Sequence, residues 1–208
     1  MSPVSNGHDH DHSHGPDHVH EPIVPLGTDE ALELERQVDM EAQILVAGVG
    51  NAFLSDDAFG GHVAKALEER ELPDGVTVMD FGTGGLDLAY EVMRGYHALV
   101  LVDISKQGGE PGTLYIIEPD PDEIEAGIED GEVLNPHGMD PQTVLRFVKT
   151  VHGWPGKVVI VACEPAAEDE IGMGLSDKVK GAVEKAVDVV LEQIEKIRTQ
   201  AAKGEIES

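Results

Sequence analysis

Two neighbouring carboxylates stand where a glycine-rich loop enters a helix, in the stretch AGVGNAFLSDDAFGG at positions 47–61. A loop of this kind can bind phosphate through its backbone N–H groups and the helix dipole. Asp56 and Asp57 would repel a phosphate and attract a cation instead. Asp103 in LVDIS and His137 in NPHG are two further side chains that can bind a metal ion.

A nucleotide site is poorly matched by the same loop. Gly48 and Gly50 fit the first two positions of the G-x-G-x-x-G motif, but Phe53 stands at the third. The next strand-end carboxylate, Asp80, lies farther along the chain than the usual ribose-binding acid. The chain also lacks the phosphate-loop motif G-x-x-x-x-G-K-[ST]. A small-molecule enzyme that binds a nucleotide here is therefore only a rival interpretation.

A metal site is the better match. Asp57 and Asp103 offer hard oxygen ligands and His137 a borderline nitrogen, and three such ligands leave room for water or a substrate ligand. Each residue also has a structural alternative. Asp57 can cap the helix that follows it, and His137 can stabilise a helix start. Asp80 is a secondary candidate that can instead bind loop amides.

The elements that must position these residues alternate between strands and helices. Continuous apolar runs such as QILVAGV and HALVLVDIS predict strands buried on both faces. Amphipathic segments between them predict helices, while GTLYIIEP follows its predecessor without a long helix and should be antiparallel or at an edge. We therefore predict a three-layer α/β fold with a twisted, mostly parallel sheet and helices on both faces.

In the closing part of the chain, LSDKVKGAVEKAVDVVLEQIEKIR predicts one long helix with Ser176 as its N-cap. The helix before the last strand should bury Val144, Leu145, Val148 and Val151. Ligands of such sheets bind beyond the carboxyl ends of the strands, where the strand order reverses. If the order begins 2-1-3, this point lies between strands one and three, flanked by Asp57 and Asp103.

Composition narrows the classes of partner. The formal net charge is −27, which argues against nucleic acid and anionic lipid as partners. Cys163 is the single cysteine, so no internal disulfide can form. No apolar run is long enough to span a membrane, and no signal core stands at the N-terminus. We expect a cytoplasmic monomer.

Residues 1–40 differ from the rest of the chain. They carry six of the ten histidines, interspersed with aspartates in GHDHDHSHGPDHVHEP. Such a segment cannot form a core, so we predict a disordered tail and linker. Imidazole and carboxylate together can bind divalent metals loosely, so the tail can buffer or deliver metal. A solvated tail without a function is an equally good interpretation. The globular domain is then residues 41–208.

Several motifs, in order, resemble those of the hydrogenase maturation proteases, the endopeptidases that process the large subunit of nickel–iron hydrogenases. They are ILVAGVGNAFLSDDAFGGHVAKAL, MDFGTGGLDL, LVDIS, GTLYII, NPHGMD and GMGLSDKVKGAVEKAV. The resemblance runs from about Ile44 to Ile197. It implies that Asp57, Asp103 and His137 bind nickel, and for Asp57 and Asp103 this agrees with the strand-end argument. It does not extend to the histidine-rich tail.

The resemblance also implies a mechanism. The nickel belongs to the substrate, a hydrogenase large-subunit precursor, and a C-terminal peptide is removed only after nickel is loaded. The ion can polarise the scissile carbonyl or activate water, or Asp57 or Asp103 can act as the general base of an aspartic-type endopeptidase. The motifs G-x-S-x-G and H-E-x-x-H are absent, and Cys163 is expected to be buried packing. A nickel-binding assembly chaperone without peptidase activity is the alternative.

Overall fold

Five strands form one sheet in the computed structural model, which describes residues 42–124, 141–166 and 171–206. Its strands are β1 (Ile44–Val49), β2 (Val76–Gly82), β3 (Ala98–Ile104), β4 (Leu114–Ile117) and β5 (Lys157–Cys163). Their order is β2-β1-β3-β5-β4. The first four in this order are parallel, and β4 pairs antiparallel with β5. The predicted mostly parallel sheet with one antiparallel edge strand is thus confirmed.

Helices cover both faces of this sheet. They are α1 (Phe59–Glu68), α2 (Gly85–Val92), α3 (Pro141–Thr150), α4 (Asp177–Lys180) and α5 (Val183–Ala202). One apolar core joins a face of the sheet to α1, α4 and α5, and a second core joins the opposite face to α2 and α3. Because β1 packs against both cores, all six of its residues are buried, which explains its unbroken apolar sequence. The three-layer α/β prediction is confirmed.

Two local predictions were wrong, and a third, Ser176 as an N-cap, was right in position only. The closing helix is interrupted, with α4 ending at Lys180 and α5 starting at Val183. Ser176 holds the N-cap position of α4, but its side chain makes no capping bond, because its hydroxyl donates to Asp56 instead. Val151 lies beyond the end of α3 and is 38% exposed, whereas the other three residues expected on that face are buried.

The strand order begins 2-1-3, as the strand-end argument assumed. The point where the strand order reverses therefore lies between β1 and β3. These two strands are parallel, and their carboxyl ends lie side by side, with Gly48 paired to Val102. All the described residues belong to the compact unit Gln37–Ser208. The tail predicted at 1–40 lies outside the described residues. Within the described ranges, no helix is both long and apolar enough to cross a membrane.

Candidate active site at the strand ends

Asp57 lies in a 3₁₀ turn, Ser55–Ala58, between β1 and α1. Its carboxylate is half-buried, and Oδ2 accepts a hydrogen bond of 3.0 Å from the backbone N–H of Asn51. Gly50 makes this turn possible, because it adopts a φ of +129° and a Cβ atom there would lie 1.8 Å from the Asp57 carbonyl oxygen. Ala58, not Asp57, holds the N-cap position of α1. Asp57 is thus fixed at a loop rather than used as a helix cap.

Asp103 is the next-to-last residue of β3 and pairs with Ala162 of β5. Its side chain is half-buried, and Oδ1 accepts a 2.7 Å hydrogen bond from the backbone N–H of Ile104. Asp103 also lines a cavity of about 750 Å³ whose other described walls come from β4, β5, α3 and the loops after β3 and β4. Asp103 therefore borders a cavity of a size that suits a small ligand.

Close packing brings the two carboxylates to the same edge of the sheet. A Cβ atom on Gly60, in the first turn of α1, would lie 2.3 Å from the Val49 carbonyl oxygen and 2.4 Å from that of Val102. Only glycine fits there, so the start of α1 rests directly on the ends of β1 and β3. The 3₁₀ turn that carries Asp57 consequently contacts β3, the strand that carries Asp103.

His137, the third predicted ligand, lies outside the described residues. The described chain resumes at Pro141 with α3, and Gln142 at the start of this helix lines the same cavity as Asp103. Among the residues the structure does describe, no three histidine, cysteine, aspartate or glutamate side chains are grouped closely enough to hold a metal ion. The three-ligand set remains a prediction.

Asp56, the neighbour of Asp57 in the 3₁₀ turn, has a structural role. It is fully buried, and its oxygens accept hydrogen bonds from the backbone N–H of Ala166 at 2.8 Å and from the N–H and hydroxyl of Ser176 at 2.7 and 3.0 Å. Asp56 therefore ties the end of β5 and the start of α4 to the 3₁₀ turn, which is a structural task.

Asp80, the secondary candidate, is exposed at the end of β2. Its Oδ1 accepts a hydrogen bond of 3.0 Å from the backbone N–H of Gly82. The bond spans two residues, as in turns closed by an aspartate side chain. This contact agrees with a loop-shaping role.

Cys163 ends β5 with no exposed surface. Burial, together with the negative charge of Asp56, raises the pKa of this thiol to about 11. The reactive form of cysteine is the thiolate, which is strongly disfavoured here. The expectation that Cys163 is buried packing is confirmed.

We predict that Cys163 takes no part in catalysis. A thiol reagent should label the native protein at least about 100-fold more slowly than the urea-unfolded chain, since a rise of about two pKa units lowers the thiolate fraction by that factor. Cys163→Ala should retain the activity of the unmodified protein. Fast labelling of the native thiol, accompanied by loss of activity, would contradict this assignment.

Two features were not predicted from the sequence. The first is Glu164, a buried carboxylate directly after β5, which nothing in the surrounding sequence distinguishes from a surface glutamate. The second is a group of exposed apolar side chains, here called the apolar patch, formed by Phe53 (69% exposed), Ile171 (93%) and Met173 (88%). Two backbone hydrogen bonds, from Ser55 to Gly172 and from Gly172 to Phe53, join its two segments beside Asp57.

Comparison with known proteins gives one consistent result. Residues 61–193 match the family model described as hydrogenase maturation protease. The hydrogenase 2 maturation protease of Escherichia coli is 32% identical over 150 residues, which are 72% of this chain and 88% of that protein. The coenzyme F420 hydrogenase subunit delta of Methanothermobacter thermautotrophicus is 32% identical over 161 residues, or 74% of this chain and 96% of that protein.

Solved structures agree with the sequence comparisons. The hydrogenase maturating endopeptidase HybD from Escherichia coli superimposes with a TM-score of 0.59 at 30% identity, covering 74% of this chain and 93% of that one. The hydrogenase 2 maturation peptidase from a Thaumarchaeota archaeon gives a TM-score of 0.57 at 32% identity, covering 74% and 98%.

Proposed function

The chain belongs to the hydrogenase maturation protease family, as its motifs predicted, and from this membership we propose that it removes the C-terminal extension of a nickel–iron hydrogenase large-subunit precursor. The substrate is the nickel-loaded precursor, and the bound nickel is what the enzyme recognises. The observation that supports this most directly is the presence of Asp57 and Asp103 at the ends of neighbouring strands, at the point where the strand order reverses.

In this proposal Asp57, Asp103 and His137 bind the nickel of the precursor. Two carboxylates and one imidazole complete the coordination of an ion that the precursor already holds. Their binding fixes the scissile bond beside Asp57 and Asp103, which is a positioning effect. A carboxylate at this edge then takes a proton from the attacking water as general base. The reaction is an aspartic-type endopeptidase cleavage.

The apolar patch supports the proposal that the substrate is another protein. Phe53, Ile171 and Met173 expose large apolar side chains on two joined loops, and exposed groups of this kind commonly mark surfaces that contact other proteins. Asn51 links the patch to Asp57. Its side-chain oxygen accepts a hydrogen bond from the backbone N–H of Phe53, and its backbone N–H donates to the Asp57 carboxylate. A precursor that reaches Asp57 therefore meets this surface.

Incubation with purified precursor tests the proposal. Nickel-loaded precursor should be shortened at its C-terminus, as measured by mass spectrometry, and the nickel-free precursor should stay intact. Binding of the loaded precursor without any cleavage would instead support the alternative of a nickel-binding assembly chaperone. Cleavage of both forms at equal rates would remove nickel recognition from the proposal.

A further inference from the structure

Glu164 is a buried carboxylate held by a ring of neutral donors. Only 5% of the residue is exposed. Oε2 accepts hydrogen bonds from the backbone N–H groups of Gln107 and Gly109, at 2.9 and 3.1 Å, and from the Tyr115 hydroxyl at 2.8 Å. Oε1 accepts from the Gly108 N–H at 3.2 Å. One side chain thus binds three consecutive amides of a single loop.

The charge of Glu164 is maintained by this ring. Burial by itself would raise the pKa of the carboxyl group, but the hydrogen bonds from the Gln107 amide, the Tyr115 hydroxyl and the two glycine amides outweigh it, so the pKa is lowered. The same contact raises the pKa of Tyr115, first through its hydrogen bond to Glu164, which keeps the hydroxyl protonated as a donor. Glu164 is therefore ionised at neutral pH.

The loop that Glu164 holds is the continuation of the strand that carries Asp103. Ile104 pairs with Cys163, and the backbone N–H of Ser105 donates to the Cys163 carbonyl oxygen at 2.9 Å. The pairing of β3 with β5 thus ends next to Glu164. Beyond this point the carboxylate of Glu164 accepts hydrogen bonds from the loop amides of Gln107, Gly108 and Gly109. This side chain therefore holds the three amides of Gln107–Gly109 in place after the strand ends.

The same loop forms a wall of the cavity beside Asp103. Ser105 and Gln107 both line the cavity, and the Gln107 side-chain amide donates to the Ser105 hydroxyl at 2.8 Å. Glu164 is not among the described residues that line the cavity, and its contact with this wall is the hydrogen bond from the Gln107 N–H. The lining also includes apolar residues, Leu145 and Ile160 among them, and the charged residues Asp120, Glu123 and Arg146.

The size and lining of this cavity suit a polypeptide segment. A volume of about 750 Å³ falls within the range that holds ligands of a few residues. Apolar side chains from the sheet and α3 can contact apolar side chains of a peptide, and the polar wall at Ser105 and Gln107 can hydrogen-bond its backbone.

We propose that Glu164 is a positioning residue, which holds the Ser105–Gly109 loop as the wall of a subsite for the precursor segment next to the scissile bond. This inference rests on the proposed function. Glu164 contacts neither the substrate nor the reacting atoms, so its loss should weaken precursor binding more than it slows the chemical step.

Glu164→Gln tests the inference with little change of shape. The amide nitrogen of glutamine cannot accept, so at least one of the loop amides loses its partner. We expect the KM for nickel-loaded precursor to rise about 5- to 10-fold, with kcat within about 2-fold of the unmodified enzyme. Amide hydrogen exchange at residues 107–109 should become faster, while exchange within β3 stays unchanged.

Two further variants complete the test. Tyr115→Phe removes a single donor and should raise KM by a smaller factor while keeping the protein folded. Glu110→Gln is the matched control, because Glu110 is in the same segment but its side chain is 87% exposed and paired with Lys178; its KM should be unchanged. An unchanged KM in folded Glu164→Gln, or an equal rise in the control, would overturn the inference.

Failure of the proposed function would be seen separately. If the unmodified protein binds nickel-loaded precursor but does not cleave it, the endopeptidase proposal fails. The role of Glu164 in the subsite is then tested by measuring the dissociation constant of each variant for the nickel-loaded precursor. A 5- to 10-fold rise for Glu164→Gln but not for Glu110→Gln would support it, and equal constants would overturn it.

Discussion

Replacement of Asp57 by asparagine is expected to abolish precursor processing while leaving the fold intact. Asparagine keeps the shape of the side chain and an oxygen that can accept from the Asn51 N–H, so the loop retains its hydrogen bond. It removes the negative charge that, in the proposed function, binds the nickel of the substrate. We expect cleavage of nickel-loaded precursor to fall at least about 100-fold, and the free energy of unfolding to change by less than about 1 kcal/mol.

Asp56→Asn is the matched control, and the structure predicts the opposite outcome for it. In either orientation of the new amide, its nitrogen would face the backbone N–H of Ala166 or that of Ser176, which both now donate to Asp56. A buried N–H without an acceptor costs about 1–3 kcal/mol, so urea unfolding should show a less stable protein. At low temperature, where this variant is folded, it should still cleave the precursor.

The two variants therefore separate two neighbouring carboxylates by different measurements. Equal loss of cleavage in both, under conditions in which both are folded, would mean that the choice of Asp57 is wrong. Loss of stability in Asp57→Asn, rather than in Asp56→Asn, would contradict the hydrogen-bond assignments that distinguish the two residues.

The fold was predictable because its causes are local. Unbroken apolar runs identify strands buried on both faces, such as β1 and β3, and amphipathic spacing identifies the helices between them. The antiparallel edge strand β4 followed from the lack of a long helix before it. The positions of Asp57 and Asp103 at neighbouring strand ends then followed from the strand order alone.

Long-range hydrogen bonds were not predictable in the same way. Asp56 and Ser176 each look like a helix-end residue in sequence, and their contact depends on how the segments that follow β1 and β5 meet in space. Glu164 follows a buried strand, and only the fold reveals that its acceptors face the amides of Gln107–Gly109. Chain segments far apart in sequence give no periodic signal of such contacts.

Replacement of His137 by alanine is the second variant with a large expected effect. The proposal makes His137 the nitrogen ligand of a three-ligand set, so its loss should remove nickel-dependent recognition. We expect the nickel-loaded precursor to bind at least about 10-fold more weakly and its cleavage to stop. The fold should persist, because the residues that anchor the following helix, Val144, Leu145 and Val148, are all buried downstream.

The choice of measurement matters, because the six histidines of residues 1–20 can also bind free nickel. The ratio of affinities for the nickel-loaded and nickel-free precursor avoids this difficulty, since the tail is identical in both experiments. In the unmodified protein this ratio should be large. In His137→Ala it should approach one, while the affinity for the nickel-free precursor stays the same.

His152 provides the control, but not through alanine. It follows the end of α3 with a φ of +59°, a left-handed conformation that asparagine tolerates better than most residues, so His152→Asn is the substitution that avoids added strain. This variant should bind and process the precursor normally. If His137→Ala processes nickel-loaded precursor at the normal rate, the three-ligand set is wrong. The metal-recognising residues would then have to be sought among Asp57, Asp80 and Asp103, which lie in or after the first three strands.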